Sequence, residues 1–351
     1  EVTINENNEV VLNYNMGDSP KLWDEFNPNV YQMQITLDSK SGTDTKNIDF
    51  GMREFKAHGK VFTINGRQTF LRGTLESAIF PLTGYPPTDV ASWKSIYKVI
   101  KNHGLNHVRF HSWSPPEAAF IAADEEGIYL QAEASGWNKL GDGNPEDKWF
   151  YKEGEDIINA YGNHPSFVMM TYGNEPHGEN HKEYLRDYVN HFKNLDSRRL
   201  YTSGAGYPYL DNLDYYNHRG PRIQGWDENL KSIINAKPPQ TVFDWSTFID
   251  KTPMPYVSHE MGQWCVYPNF EEMSKYTGVL KPKNFEIFQE SLAENGMADL
   301  AKQFLMASGK LQTLCYKADI EAALRTKDMA GFQLLDLHDF PGQGTALVGV
   351  L

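Results

Sequence analysis

Eight short apolar runs alternate with amphipathic stretches from about residue 70 onward, and this rhythm limits the possible folds more than any other feature. Repeated strand–helix alternation predicts an α/β protein, and eight repeats predict a closed (β/α)₈ TIM barrel of parallel strands. An open doubly wound sheet is the alternative, but no glycine-rich dinucleotide fingerprint follows the first run. The predicted strands are Phe70–Leu75, Asn106–His111, Ile128–Glu133, Phe167–Asn174, Leu200–Ser203, Leu213–Asn217, Pro255–Glu260 and Gly331–Asp336.

The segments between these strands carry helix start and stop signals. Asp89–His103 is followed directly by Gly104, a residue type that ends helices. Pro115–Glu126 opens on a proline, which suits the first turn of a helix. The other predicted helices are Glu153–Tyr161, Lys182–Asn194 and Asn284–Ala323.

Residues 1–58 have a different pattern and predict a separate β domain before the barrel domain of residues 59–351. Apolar runs at Val10–Tyr14 and Val30–Leu37, and shorter ones up to Phe55, are separated by turn residues, which is typical of antiparallel strands. The segment is about half as long as a seven-stranded sandwich of roughly 100 residues. It therefore predicts the C-terminal part of an immunoglobulin-like β-sandwich.

Both ends of the chain suggest a piece of a longer polypeptide. Only about 15 residues follow the eighth predicted strand, so we expect the barrel to lack its last helix. The chain stops within the apolar run Ala346–Leu351, and other domains of the same polypeptide are the expected protein partners. It opens at Glu1 without a signal segment, and we expect a periplasmic or secreted protein whose signal peptide has been removed.

Composition excludes several classes of protein. An aromatic content of 13% argues against a disordered chain. A net charge of −13 argues against sequence-independent nucleic-acid binding, because nothing would offset phosphate repulsion. No apolar run reaches the roughly 18 residues that a membrane span needs. Two cysteines, Cys265 and Cys315, make no disulfide scaffold, and whether they pair is left open.

Two glutamates stand at predicted strand ends, where the catalytic residues of such barrels lie. Glu175 follows the fourth strand and Glu260 ends the seventh. They are about 85 residues apart, close to the roughly 90 residues that three βα units occupy. Paired carboxyl groups with different pKa values are what glycosidic-bond hydrolysis needs. Trp113, Trp137 and Trp264 follow strands two, three and seven, and one or two of these rings are expected to contact a sugar.

Two of the remaining polar candidates, Arg109 and Glu133, have two interpretations each. Arg109 either supports a carboxylate and lowers the nucleophile's pKa or forms a structural bridge. Glu133 is equally well explained as a substrate contact or as the ion-pair partner of a barrel arginine. His259 alternates with Glu260, so we expect it to face away from the barrel interior.

The histidines are not expected to form a metal site. The spacing of His111, His218, His259 and His338 matches no zinc template, so no metal and no cofactor are expected.

Several segments, in the same order along the chain, resemble glycoside hydrolase family 2, which includes β-galactosidases, β-glucuronidases and β-mannosidases. They are Leu22–Tyr31, Phe50–Phe55, Phe62–Gly73, His164–Glu175 and Pro255–Glu260. The resemblance implies that Glu175 is the general acid/base, Asn174 contacts the sugar 2-hydroxyl and Glu260 is the nucleophile.

The sequence also departs from this family. After the second strand only Arg109 matches the family motif, and the tryptophan expected on strand eight is replaced within Leu334–Asp339. Neither the Asn-x-Lys that marks glucuronidases nor the Glu-x-His of metal-dependent galactosidases is evident. The general mechanism is therefore expected to hold, whereas the identity of the sugar is open.

The sequence accordingly predicts a retaining exo-glycosidase, most similar to β-galactosidases, that acts on terminal β-linked sugars of oligo- or polysaccharides. The two carboxyl groups should then lie about 5 to 5.5 Å apart. A carbohydrate-binding barrel without catalysis and an endo-acting glycanase of the same clan are the alternatives. The expected substrate contacts are Arg109, His111, Trp113, Glu133, Trp137, Asn174, Tyr216, His218, Trp264 and His338.

Overall fold

The computed structural model describes residues 10–223, 238 and 240–340. Five short strands precede the barrel: β1 (Tyr31–Ser39), β2 (Gly42–Phe50), β3 (Phe55–His58), β4 (Val61–Ile64) and β5 (Arg67–Thr69). The barrel strands are β6 (Leu71–Glu76), β7 (His107–Phe110), β8 (Tyr129–Gly136), β9 (Phe167–Gly173), β10 (Leu200–Thr202), β11 (Tyr216–Arg219), β12 (Tyr256–Gly262) and β13 (Gly331–Leu335).

The eight strands β6 to β13 form one parallel sheet that curves back on itself. Each strand pairs with its neighbour in sequence from β6 to β10 and from β11 to β13, and β13 pairs with β6. Between β10 and β11 the sheet is closed by a single bridge from Gly206 to His218, supported by a 2.7 Å hydrogen bond from Gly206 N to Asn217 O. The predicted α/β barrel is confirmed.

The helices surround the barrel. They are α1 (Val90–Asn102), α2 (Glu117–Glu126), α3 (Pro145–Tyr161), α4 (His181–Leu195), the short α5 (Ser246–Ile249), α6 (Lys283–Glu294) and α7 (Ala301–Arg325). Asp89 caps α1 by accepting a 2.8 Å hydrogen bond from Ser92 N. The single helix predicted over Asn284–Ala323 is wrong, because Gly296, at a φ of +68°, separates α6 from α7.

Polar side chains fill the middle of the barrel, and we call Gln131, Asn217, Gln333 and His107 the amide ring. Gln131 donates to Asn217, Asn217 donates to Gln333, and Gln333 Nε2 lies 2.9 Å from His107 Nε2. His107 Nδ1 lies 2.9 Å from the carbonyl of Tyr129. Burial lowers the pKa of His107 to about 4, so its neutral ring can donate through Nδ1 and accept through Nε2.

The small sheet of β3, β4 and β5 closes the end of the barrel where the strands begin. Phe55 and Phe62 stack on each other and contact Tyr129 and Tyr215, which start or precede barrel strands. All four rings are buried, so this contact is a second hydrophobic core beneath the barrel.

The strands before residue 53 are less embedded. β1 and β2 pair antiparallel over their whole length, yet nearly all of their side chains are exposed or half-exposed. The strand predicted at Val10–Tyr14 is wrong: these residues are in no strand, and Val11 and Tyr14 are exposed, so the side chains gain little from packing. The domain division after residue 58 stays a prediction, and the expected loss of a last helix concerns residues 341–351, outside the described part of the chain.

Two sequence expectations concern membranes and disulfides. Among the described helices, none combines the length and the apolarity that crossing a membrane requires. Cys265 and Cys315 are both free thiols.

Candidate active site

A cavity of about 680 Å³ opens where the barrel strands end. This is the end at which (β/α)₈ enzymes place their active sites. Six of the residues predicted to form the site line it together: His111, Trp113, Trp137, Asn174, Glu175 and Glu260.

Glu260 reaches this cavity because strand β12 contains a bulge. The pairing register with β13 shifts between Ser258 and Met261, and Glu260 has a φ of +49°. A bulge breaks the alternation of side chains along a strand, so two consecutive residues can point the same way. His259 therefore also lines the cavity, and the expectation that it faces away is wrong.

The Glu260 carboxylate is surrounded by donors. Its Oε1 lies 3.0 Å from His259 Nε2, 3.5 Å from His111 Nε2 and 3.9 Å from Arg109 Nη1. Its Oε2 accepts a 3.2 Å hydrogen bond from Gln263 Nε2. Burial acts to raise the pKa of Glu260, but the interactions with His259 and His111 outweigh it and hold the pKa well below its usual range. The group is thus kept ionised.

Glu175 stands on the other side of the cavity with fewer partners. It follows Gly173, where an added Cβ would lie 2.0 Å from the Gly136 carbonyl oxygen, so only glycine fits. Its Oε1 accepts a 2.8 Å hydrogen bond from Arg219 Nη2. The Glu175 side chain is 25% exposed and that of Glu260 is 15% exposed. Glu175 is therefore the more accessible carboxylate.

Asn174 connects the two sides. Its Oδ1 accepts hydrogen bonds from Arg109 Nη2 at 2.7 Å and from His259 Nε2 at 3.1 Å. With the oxygen engaged, the amide NH₂ is the group left to donate to a ligand.

Arg109 and Glu133 form an ion pair below the cavity. Arg109 Nε lies 2.6 Å from Glu133 Oε1, and both side chains are fully buried. Glu133 also accepts a 2.7 Å hydrogen bond from Ser112 N. Neither side chain lines the cavity, and Arg109 instead contacts Asn174 and lies 3.9 Å from Glu260. Their contact with a substrate stays a prediction.

Backbone strain is concentrated at this site. Five non-glycine residues lining the cavity have positive φ angles: Ala78, Ser112, Glu175, Glu260 and Gln263. Such conformations cost about 1 to 3 kcal/mol each and cluster at functional sites. The strain supports a functional role for this cavity.

Two predicted contacts on β11 lie outside the cavity. Tyr216 and His218 stack on each other, and both rings pack against Tyr209, with 4.0 Å between the ring centroids of His218 and Tyr209. Burial lowers the pKa of His218 to about 3. These rings are therefore packed in the structure rather than presented to a ligand.

Trp264 and His338 are likewise outside this cavity. Trp264 Nε1 donates a 3.1 Å hydrogen bond to Asp319, which directs the indole towards helix α7. His338 lines a neighbouring cavity.

The sequence reasoning missed Arg219 and Arg222, which line the cavity beside the two glutamates. Arg222 Nη1 donates a 3.0 Å hydrogen bond to the Glu260 carbonyl. Arg219 is the last residue of β11, so the strand-end rule would have found it if the strand had not been placed two residues too early. Arg222 lies in the following loop and has no comparable signal in the sequence.

Metal ligands are not grouped in the described part of the chain. No set of three or more His, Cys, Asp or Glu side chains there could hold an ion together. The expectation of no metal and no cofactor stays a prediction.

Comparison with known protein families gives two adjacent matches. The family model described as "Glycosyl hydrolases family 2, TIM barrel domain" matches residues 55–236, more than half of the chain. The model described as "Glycosyl hydrolases family 2" matches residues 1–53.

Individual relatives agree with this assignment. A Formosa agariphila protein named "Putative beta-glucuronidase" is 30% identical over 76% of this chain and 26% of its own length. A Halalkalibacterium halodurans β-galactosidase is 27% identical over 74% of this chain and 25% of its own. A Ruminococcus gnavus β-glucuronidase structure has a TM-score of 0.69 and 18% identity, covering 91% of this chain and 52% of that one, and supports the fold. The chain thus spans about a quarter of the length of the Formosa and Halalkalibacterium proteins.

Proposed function

Since the chain belongs to family 2 of the glycosyl hydrolases, we propose that it is a retaining exo-glycosidase that removes a terminal β-linked sugar. The observation that carries the proposal is the placement of Glu175 and Glu260 on one cavity with contrasting surroundings. A retaining mechanism needs one carboxylate as nucleophile and one carboxyl group that donates and then accepts a proton.

The roles follow from those surroundings. Glu260, kept ionised, attacks the anomeric carbon while Glu175 gives its proton to the leaving oxygen. Water then enters, loses a proton to Glu175 and releases the sugar from Glu260. Asn174 holds its oxygen on Arg109 and offers its NH₂ to the sugar. Arg219 donates a hydrogen bond to Glu175 Oε1 and so orients its carboxyl group.

Two aromatic residues are placed to contact the sugar. Trp137 is 53% exposed at the rim, and its ring lies edge-on to His111 at 4.9 Å. Trp113 is held by a 3.0 Å hydrogen bond from Nε1 to the Glu76 carbonyl. Such rings pack against the C–H faces of sugars.

A β-galactoside is the first candidate substrate, in line with the Halalkalibacterium β-galactosidase. A β-glucuronide is the second, and a specific observation favours it. Arg219 and Arg222 both line the cavity, and guanidinium groups pair well with carboxylates. The Formosa relative carries a glucuronidase name. Further domains of a longer polypeptide and a periplasmic or secreted location belong to the same proposal.

A panel of nitrophenyl β-galactoside, glucuronide, mannoside and arabinoside tests the proposal. We expect one of the first two to be cleaved with retention of anomeric configuration, followed by NMR. Cleavage of none would favour a carbohydrate-binding barrel, and cleavage confined to internal linkages of a polymer would favour an endo-acting glycanase.

A further inference from the structure

Two acidic residues lie behind one wall of the active-site cavity, where strands β6 and β13 end side by side. Glu76 is the last residue of β6, and Asp336 directly follows β13. Glu76 is 1% exposed and Asp336 is 2% exposed, and neither lines the cavity. The mechanism proposed above uses neither of them. Buried carboxyl groups need hydrogen-bond partners, and these partners show what the pair holds in place.

The partner of Asp336 is a residue that does reach the cavity. Ser77, the first residue after β6, lines the cavity, and its Oγ donates a 2.7 Å hydrogen bond to Asp336 Oδ2. The other carboxyl oxygen of Asp336, Oδ1, accepts a 2.6 Å hydrogen bond from Leu337 N. Both oxygens are thus engaged, which fixes the orientation of Asp336 and, through it, the orientation of the Ser77 hydroxyl.

The backbone around Ser77 is also held in place. Ala78 N lies 3.1 Å from each carboxyl oxygen of Glu76, to which it donates, and Ala78 has a φ of +57°. The carbonyl of Glu76 accepts hydrogen bonds from His111 N at 2.9 Å and from Trp113 Nε1 at 3.0 Å. The loop that carries Ser77 is therefore tied to the end of β7. A hydroxyl held in this way is preorganised for a ligand, because little freedom is left to lose on binding.

The Ser77 hydroxyl suits a sugar hydroxyl in either protonation state of Asp336. Burial raises the pKa of Asp336 to about 7, despite the hydrogen bonds from Ser77 and Leu337. When Asp336 is ionised, Ser77 donates to it and can accept a hydrogen bond from a ligand. When Asp336 is protonated, it can donate to Ser77, and the serine can then donate to the ligand. A hydroxyl fits both states, whereas a carboxylate only accepts and would be repelled by an ionised Asp336.

The position of Ser77 on the barrel selects one edge of the sugar. Two strands, β7 and β8, separate β6 from β9, whereas β13 alone separates β6 from β12, which carries Glu260. The leaving group must lie near Glu175, after β9, because this residue is proposed to protonate it. Ser77 therefore faces the part of the terminal sugar that is remote from the leaving group, which carries the substituents at C3, C4 and C6.

We propose that Ser77, oriented by Asp336, binds a hydroxyl group on the edge of the terminal sugar remote from the leaving group and so contributes to the choice of sugar. This inference rests on the proposed function. Ser77 is a substrate contact, and Asp336 is a positioning residue that acts through it. A site built to bind a hydroxyl group discriminates against a sugar that lacks it, because a buried polar group is then left unpaired.

The test uses nitrophenyl β-galactoside and its 3-deoxy, 4-deoxy and 6-deoxy analogues, or the glucuronide series if the panel selects it. In Ser77→Ala, kcat/KM for the complete sugar should fall about tenfold, because one hydrogen bond to the substrate is lost. For the one analogue that lacks the contacted hydroxyl, kcat/KM should be the same in Ser77→Ala and in the wild type. Ser95→Ala, on the exposed face of α1, is the matched control.

Variants of Asp336 test its positioning role. Asp336→Asn keeps an oxygen that can accept from Ser77, so it should lose less activity than Asp336→Ala. Adding Ser77→Ala to Asp336→Ala should cost little more, because both changes act through one hydroxyl. A purely structural role of Asp336 would instead lower kcat/KM for all four substrates alike. If thermal unfolding shows that Asp336→Ala does not fold, Ser77→Ala and Asp336→Asn decide.

The outcomes separate this inference from the proposed function. Equal losses in Ser77→Ala with all four substrates, or no loss with any, would overturn the contact and leave the glycosidase assignment intact. Wild-type protein that cleaves no sugar of the panel would overturn the proposed function itself. Calorimetric titration of Glu260→Ala with methyl β-galactoside then judges the contact without turnover. Ser77→Ala in that background should weaken binding about tenfold, and unchanged affinity would overturn the inference.

Discussion

Glu260 and Glu175 face one cavity but differ in how the protein surrounds them. Glu260 has two histidines, a glutamine and a nearby arginine around its carboxylate. Glu175 accepts a hydrogen bond from Arg219, and its side chain is more exposed than that of Glu260. This difference in surroundings is the basis for the different roles that we propose for the two glutamates.

A third glutamate has the opposite pKa shift. Glu76 is 1% exposed, and its pKa is raised to about 8 by burial and by the charge of Asp336. Burial acts to raise the pKa of Glu260 as well, but there the interactions with His259 and His111 outweigh it.

The largest expected effect comes from removing Glu260. Glu260→Ala should lower turnover of the nitrophenyl substrate by about a thousandfold or more, because no covalent intermediate can form. Azide should restore activity by taking the place of the carboxylate. Glu183→Ala, on the exposed face of α4, should behave as wild type. Unchanged turnover in Glu260→Ala would remove it as nucleophile.

Glu175→Ala should have an effect that depends on the leaving group. A poor leaving group such as an alkyl alcohol needs the proton from Glu175, so we expect a loss of about a hundredfold or more. Dinitrophenolate leaves without protonation, so the first step should lose much less. Stopped-flow measurement of the two substrates checks this, and equal losses would contradict an acid/base role.

His259→Gln should move the acid side of the pH profile. The nucleophile must be ionised, and activity is lost as the pH falls through its pKa, which lies well below 4.5 in the wild type. Removing His259 takes away one cause of the lowered pKa. The pH at which activity is lost on the acid side should therefore move up by about one unit, which is a tenfold change in the ionisation constant of Glu260. His103→Gln, on an exposed histidine, is the control, and an unmoved limb would show that His259 does not set the pKa.

The smallest expected effect on activity comes from Glu76→Gln, which we expect to change stability instead. Glu76 has a raised pKa in the folded protein, so its contribution to stability is complete below about pH 4.5 and is lost as the pH rises through about 8. Glu76→Gln should therefore be more stable than the wild type at pH 8. Each kcal/mol gained in the free energy of unfolding should raise the Tm by about 2–4 °C. Thermal unfolding of both proteins at pH 5 and pH 8 tests this prediction. A Tm difference between variant and wild type that is the same at both pH values would contradict it.

The barrel and the two glutamates were predictable because they depend on local patterns. The alternation of strands and helices predicts the barrel, and the positions of Glu175 and Glu260 at predicted strand ends single them out. His259 was misplaced because a bulge in β12 depends on pairing with β13, which periodicity alone does not reveal. Tyr216 and His218 stand on a strand but are turned into an aromatic cluster by packing.

The amide ring inside the barrel has a consequence for exchanging parts between proteins. Its hydrogen bonds are directional and continue from Gln131 to Glu133 and then to Arg109, which holds Asn174. A strand taken from a barrel with an aliphatic interior would leave a donor or acceptor unpaired here, even if its volume matched. Chimeras should therefore succeed only when the strands that carry Gln131, Asn217 and Gln333 are transferred as one set.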